Sequence, residues 1–175
     1  FDNGLPGRPV EEQERIATKI QRMGLMMGPW VLYADFGKTS FVLPHREVRD
    51  FLTMKMEEGI EVASRTGFKT ALVVPGRYDE RIHPDIQRAN VIDNLKYCAD
   101  LVGPEGITLA LEPLNTLRDH PGLWLTGMPQ AYQVCKAVDS PAVKIVEDMY
   151  HQQISEGNLI PNIEACWDEI TAFHV

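Results

Sequence analysis

Apolar residues recur along the chain at two spacings, one typical of amphipathic helices and the other typical of strands. Residues 9–23 show the helical spacing, with a proline at the start, glutamates in the first turn, basic residues in the last turn and Gly24 just beyond. Similar signals predict further helices at residues 45–65, 84–101, 128–138 and 161–169. Short apolar runs predict strands at residues 25–34 (interrupted by Gly28 and Pro29), 69–74, 107–111, 143–147 and 171–175, with a loop at residues 35–43.

The alternation of strands and helices predicts right-handed βαβ units and a parallel sheet. At 175 residues the chain is shorter than a complete (β/α)8 barrel, which needs about 250 residues, and an open doubly wound sheet would fit its length. One strand nevertheless carries large apolar residues on one face (Ile107, Leu109, Leu111) and small or polar residues on the other (Thr108, Ala110, Glu112). A barrel wall has such unlike faces, because one face fills the lumen and the other meets helices. We therefore predict an α/β fold, an incomplete TIM barrel of about five βα units, as a single domain over residues 1–175.

Three of the predicted strands end in a side chain that can bind a metal, namely Glu112, Asp148 and His174. Side chains alternate between the faces of a strand, so each of the three shares its face with the smaller residues of its strand. By the same rule Glu147 points to the helix side, which leaves the register of that strand open. Neighbouring parallel strands lie about 4.8 Å apart, so the three groups could meet on one divalent cation. Carboxylate and imidazole ligands suit Mg, Mn, Co or Zn, and the set does not choose among them.

Composition excludes several classes of protein. A formal net charge of −8 and a pI near 5.1 argue against a nucleic-acid partner, which requires a basic face. No apolar run is long enough to cross a membrane. The three cysteines are scattered, lack CxxC spacing and are expected to be buried thiols rather than a disulfide framework. No signal peptide is visible and a cytoplasmic location is expected, although the start at Phe1 suggests that the beginning of the protein is missing.

Three motifs in the second half of the chain resemble those of a known superfamily. They are LEPLN at residues 111–115, DHPG at residues 119–122 and DMYHQQISEGNL at residues 148–159. In order and spacing they resemble the xylose isomerase-like TIM-barrel superfamily of sugar isomerases and epimerases, which also includes endonuclease IV. The closest likeness is to hydroxypyruvate isomerase-like members. The resemblance extends along most of the chain, and its specific motifs lie within residues 111–174.

The resemblance implies roles for individual residues. Glu112, Asp148 and His174 would be metal ligands on barrel strands five, six and seven, and Glu112 would also be a catalytic acid/base. His151 would contact the substrate near the metal. We also expect substrate contacts from Asn115 of the first motif and from Trp124, which lies in the loop after the strand at 107–111. The family's fourth ligand, a glutamate on strand eight that is often taken as the second acid/base, would lie outside this chain, as would the first two strands.

These roles predict a metal-dependent isomerase or epimerase that acts on a small carbohydrate or hydroxy-keto acid by enediolate proton transfer. A non-catalytic or degenerate sugar-binding barrel is the main alternative. An endonuclease IV-like DNA repair enzyme is disfavoured, because that enzyme's sites are rich in histidines and its surface must face DNA, whereas this chain has five histidines and is acidic. An incomplete barrel has open sheet edges, and homo-oligomer formation is left open.

Overall fold

The computed structural model describes residues 4–34 and 41–175, so most of the loop predicted at residues 35–43 lies outside the described residues. The strands are β1 (Trp30–Tyr33), β2 (Thr70–Val73), β3 (Thr108–Leu111), β4 (Val143–Asp148) and β5 (Ile170–His174). The helices are α1 (Val10–Arg22), α2 (His45–Thr66), α3 (Pro84–Val102), α4 (Met128–Val138), α5 (Met149–Ser155) and α6 (Leu159–Cys166), with short 3-10 turns at Gly103–Glu105 and Trp167–Glu169. No helix in these ranges combines the length and apolarity needed to cross a membrane.

The five strands form one parallel sheet in the order β1-β2-β3-β4-β5, so every strand pairs with its neighbour in sequence. A doubly wound sheet reverses its strand order at a switch point, whereas a barrel wall adds strands in sequence. The observed order is therefore that of a TIM barrel. Within the described residues β1 and β5 do not pair, and the sheet is a partial barrel of five strands, as predicted.

The two faces of the sheet belong to two separate hydrophobic clusters. The outer face packs against the helices in the larger cluster, which includes Ala71, Val73, Leu109, Leu111, Val143 and Ile145. The inner face carries a smaller cluster formed by Leu72, Val74, Ala110, Leu114, Leu123 and Val146. Alternate residues of one strand thus enter different clusters, which confirms the unlike faces predicted for the strand at 107–112. The carboxyl ends of β3, β4 and β5 border this inner face.

Several element bounds differ from the prediction. The strand predicted at residues 25–34 is limited to β1, because Pro29 lacks the N–H group that a strand interior donates to its neighbour. Helix α6 begins at Leu159, ahead of the predicted start at Pro161. A proline is tolerated in the first helical turn, because the backbone N–H it lacks would have no intrahelical partner there. Its α-helical part ends at Cys166, and the predicted remainder is a 3-10 turn. Helix α5 was not predicted at all, being only 7 residues long and largely polar.

The three cysteines are buried free thiols, as the sequence predicted. Burial raises the pKa of the Cys98 and Cys135 thiols to about 12. Both groups therefore stay protonated near neutral pH and pack as small apolar side chains.

Gly127, which precedes α4, leaves room for the carboxylate of Glu156. The Glu156 Oε2 atom accepts a hydrogen bond of 3.1 Å from the backbone N–H of Met128 and so caps the start of α4. The φ angle of Gly127 is −145°, which any residue can adopt, but an added Cβ atom would overlap Oε1 of Glu156 and lie 2.7 Å from its Cδ atom. A side chain at position 127 would therefore displace the Glu156 carboxylate, whereas the backbone conformation there does not call for glycine.

We expect Gly127→Ala to lower the free energy of unfolding by about 1–2 kcal/mol, because the displaced carboxylate no longer caps α4. Urea denaturation of the variant measures the loss. Gly7→Ala is the matched control, since a Cβ atom there would meet nothing within 4 Å. Equal losses in the two variants would show that the space at Gly127 is unimportant.

Candidate metal centre

Three neighbouring strands place a polar side chain at the same end of the inner face. Glu112 follows β3 directly, and its backbone N–H donates to the carbonyl of Val73 on β2 at 3.2 Å. Asp148 ends β4 and His174 ends β5, and the two residues are register partners across the strand pair. All three side chains therefore lie at the carboxyl ends of parallel strands, where TIM-barrel proteins build their sites.

The donor atoms of these three residues form a compact group. One ligand atom from each of Glu112, Asp148 and His174 lies within 4.8 Å of the others. His174 Nδ1 is 2.8 Å from Glu112 Oε1 and 3.6 Å from Asp148 Oδ2. The Glu112 residue is buried, and Asp148 and His174 are partly buried. The strand ends thus bring together the three side chains that the sequence singled out.

The charges of this group fit a divalent cation. Burial raises the pKa of the Asp148 carboxyl, but the His174 ring and the backbone N–H of His151 outweigh that effect and leave the pKa below its ordinary value. Asp148 is therefore ionised near neutral pH and favours a positive partner. Two carboxylates and an imidazole, with donor atoms within 4.8 Å, have the chemistry and the closeness required to hold one divalent metal ion.

His151 lies beside this group, in the first turn of α5. Its backbone N–H donates to Asp148 Oδ1 at 2.8 Å, so Asp148 also caps the helix that carries His151. The residue is partly exposed, and Nδ1 of its ring lies 2.7 Å from Asn115 Nδ2. The sequence-predicted substrate residue His151 is therefore next to the candidate ligands.

Two further residues expected to contact substrate, Asn115 and Trp124, are buried against other parts of the protein. Asn115 is fully buried, and its side chain bonds to Asp119, to His151 and to the backbone of residue 118 rather than facing open space. Trp124 is buried in the outer hydrophobic cluster, and its carbonyl accepts from Gln130. Asn115 thus lies against the His151 ring, and Trp124 packs in the larger hydrophobic cluster.

Three residues near His151 were not among the sequence predictions for the site. The His120 ring centroid lies 5.3 Å from that of His151, and the Tyr150 ring centroid lies 5.2 Å from it. A hydrogen bond donated by Asn115, and a smaller effect of one from Tyr150, hold the pKa of Asp119 below its ordinary value. The motif DHPG was visible in the sequence, but nothing in it indicated that the turn folds back onto α5.

Glu147 lies on the opposite face of β4 from Asp148. It is fully buried, and neither of its carboxylate oxygens has a hydrogen-bond partner in the described part of the chain. Burial, followed by the charges of Glu156 and Asp148, raises the pKa of Glu147 to about 7. Its position settles the register of β4, since Asp148 then points to the inner face with Val146.

An in-order parallel sheet with acidic and imidazole groups at its carboxyl end defines a TIM-barrel protein with a candidate metal centre. The chain belongs to the xylose isomerase-like TIM barrel family, whose family model matches residues 4–175. The family expected from the three motifs is therefore confirmed.

Two curated relatives of this chain are named as isomerases. It is 37% identical over 95 residues to hydroxypyruvate isomerase of Escherichia coli K12, an alignment that covers 54% of this chain and 34% of that enzyme. It is 38% identical over 72 residues to 2-oxo-tetronate isomerase of Cupriavidus necator, which covers 41% of this chain and 27% of that enzyme. The matched segments thus span well under half the length of these relatives.

A solved structure of similar fold is that of an AP endonuclease, family 2, from Brucella melitensis. The two structures superpose with a TM-score of 0.83 at 24% sequence identity, over 98% of this chain and 66% of the other. At that identity the likeness shows the fold alone.

Proposed function

We propose that this chain carries the metal centre of an isomerase or epimerase for small hydroxy-carbonyl compounds, with hydroxypyruvate as the first substrate to test. The observation that carries the proposal is the convergence of Glu112, Asp148 and His174 at adjacent strand ends, with donor atoms within 4.8 Å. The named activities of the curated relatives support it, because both relatives are isomerases of 2-oxo acids. The proposed ligands are the same three residues.

Glu112 is the group proposed to move the proton. For hydroxypyruvate, its carboxylate takes a C–H proton from the hydroxymethyl carbon, which leaves an enediolate, and returns the proton to the neighbouring carbon. The hydroxyl proton passes to the former carbonyl oxygen, so the product is 2-hydroxy-3-oxopropanoate and all atoms are conserved. The barrier to proton removal falls when the negative charge that develops on oxygen is stabilised, and a divalent cation supplies that stabilisation when bound.

The other residues of the site are proposed to orient these partners. Asp148 and His174 would hold the cation beside Glu112, whose Oε1 atom lies 2.8 Å from the His174 ring. His151 provides a polar ring next to Asp148, where a substrate oxygen is expected. The burial of Glu112 limits the access of water to the proton in transit.

The test is isomerisation of hydroxypyruvate by the purified protein in D₂O, followed by NMR, with Mn²⁺, Mg²⁺ or Zn²⁺ and with a chelator. We expect product formation and deuterium at carbon in the presence of one of the metals, and neither in the chelator. A 2-oxo-tetronate and a keto-hexose serve as parallel substrates, which separates acid isomerisation from sugar epimerisation.

If the metal binds and none of these substrates exchanges its C–H proton, the isomerase proposal fails and a sugar-binding barrel without catalysis is favoured. If exchange occurs equally in the chelator, the proposed role of the metal fails. The acidic net charge of −8 gives no support to a DNA substrate for this site.

A further inference from the structure

The buried amide of Asn115 has only one possible orientation. Its Oδ1 atom accepts hydrogen bonds from the backbone N–H groups of Arg118 and Asp119, each at 3.1 Å. A backbone N–H can only donate, so the atom facing both of them must be the oxygen. The Nδ2 group therefore points the other way, where it lies 2.8 Å from Asp119 Oδ2 and 2.7 Å from His151 Nδ1.

This orientation determines the protonation of the His151 ring. An amide NH₂ group has donors and no acceptor, so His151 Nδ1 must accept the hydrogen bond from Asn115 Nδ2. The backbone N–H of Asn115 points to the same nitrogen at 3.4 Å and strengthens the requirement. In a neutral imidazole the proton then resides on Nε2. None of the described residues accepts a hydrogen bond from His151 Nε2, and the His151 residue is partly exposed.

We propose that Asn115 is a positioning residue that holds His151 as the Nε2–H tautomer, so that His151 donates a hydrogen bond to a substrate oxygen beside Asp148. The Asp119 carboxylate takes the second N–H of the Asn115 amide and prevents its rotation. The donor role of His151 rests on the function proposed above, whereas the tautomer follows from the Asn115 contacts alone. Asn115 thus acts through His151 and does not contact the substrate.

The tautomer can be read directly by ¹⁵N NMR of the histidine side chains at about pH 9, above the ordinary pKa of histidine. We expect the wild-type His151 spectrum to show a bare Nδ1 and a protonated Nε2. A protonated Nδ1 in the wild-type protein would overturn the proposal without any variant being needed.

A double variant, Asn115→Asp with Asp119→Asn, exchanges the amide and the carboxylate. The hydrogen bond between the two side chains is retained, since the new amide at position 119 donates to the new carboxylate at position 115. The atom that faces His151 Nδ1 becomes an acceptor, and we expect the proton to move to Nδ1. Asp119→Asn alone is the matched control, because Asn115 Nδ2 still donates to Nδ1 and the wild-type tautomer should remain. An unchanged tautomer in the double variant would overturn the role of Asn115.

Turnover separates this inference from the proposed function. Loss of the Nε2–H donor is expected to lower kcat about 100-fold in the double variant relative to Asp119→Asn, the usual effect of removing one donor to a developing oxyanion. If Nδ1 gains the proton and kcat does not change, the donor role of His151 is overturned while the isomerase proposal stands. If the tautomers behave as expected and the wild-type protein acts on none of the substrates, the proposed function and the donor role fail, and only the positioning of His151 by Asn115 remains.

Discussion

Glu112→Gln is expected to lower kcat for hydroxypyruvate by about 10³-fold at saturating Mn²⁺, with little change in stability. The glutamine has the same shape and can keep a contact with the His174 ring, but its amide cannot take a proton from carbon. The wild-type Glu112 carboxylate is buried and lies 2.8 Å from His174 Nδ1, so its proposed role as the proton carrier requires no change of its conformation.

The matched control for this variant is Glu57→Gln, which makes the same chemical change at an exposed position on α2. Unfolding curves of both variants check that the fold is retained. Wild-type turnover by Glu112→Gln would show that Glu112 does not move the proton. A Glu112→Gln variant that binds the metal but is inactive would support that role.

Glu147→Gln is expected to stabilise the protein at alkaline pH by about 2–3 kcal/mol, and to have little effect at about pH 5. Burial raises the pKa of Glu147 from 4.5 to about 7, and the oxygens find no partner among the described residues. A carboxyl whose pKa is higher in the folded state binds its proton more tightly there. The folded protein therefore loses stability as the pH rises from about 4.5 through about 7, and the neutral amide avoids that loss.

Urea denaturation at about pH 5 and about pH 8.5, with a chelator present, measures this effect. Glu57→Gln is again the control, since its side chain is exposed and its curve should follow the wild type at both pH values. A Glu147→Gln curve that runs parallel to the wild type across this range would show that Glu147 is not buried as an unpaired acid.

The sequence predicted the barrel wall and its candidate ligands because both depend on local rules. Alternation of faces along residues 107–112 and 143–148 places Glu112 and Asp148 on the inner face without any knowledge of distant residues. The in-order sheet then brings the strand ends together. Gly28 and Pro29 also predicted a break, and β1 begins just beyond it.

The support behind His151 could not be predicted in this way. Asn115 and His151 are 36 positions apart, and their contact depends on the turn after β3 meeting the first turn of α5. Helix α5 lacks an apolar stripe, so the sequence pattern does not predict it. A helix this short depends on its packing at the end of the sheet, which is seen only in the structure. Asn115 was expected to contact substrate because it lies in a site motif, and only its burial shows that its bonds are made with the protein.

Calorimetric titration with Mn²⁺ tests most directly whether Glu112, Asp148 and His174 share one cation. Asp148→Asn is suited to this test because the amide oxygen can still accept from the His151 backbone and cap α5. We predict one Mn²⁺ per chain for the wild type and for Glu57→Gln. In Glu112→Gln and in Asp148→Asn we predict an Mn²⁺ affinity reduced by at least about 10- to 100-fold, because loss of a residue that only supports a metal ligand already has an effect of that size. Equal Mn²⁺ affinity in all four proteins would contradict a shared metal centre at these strand ends.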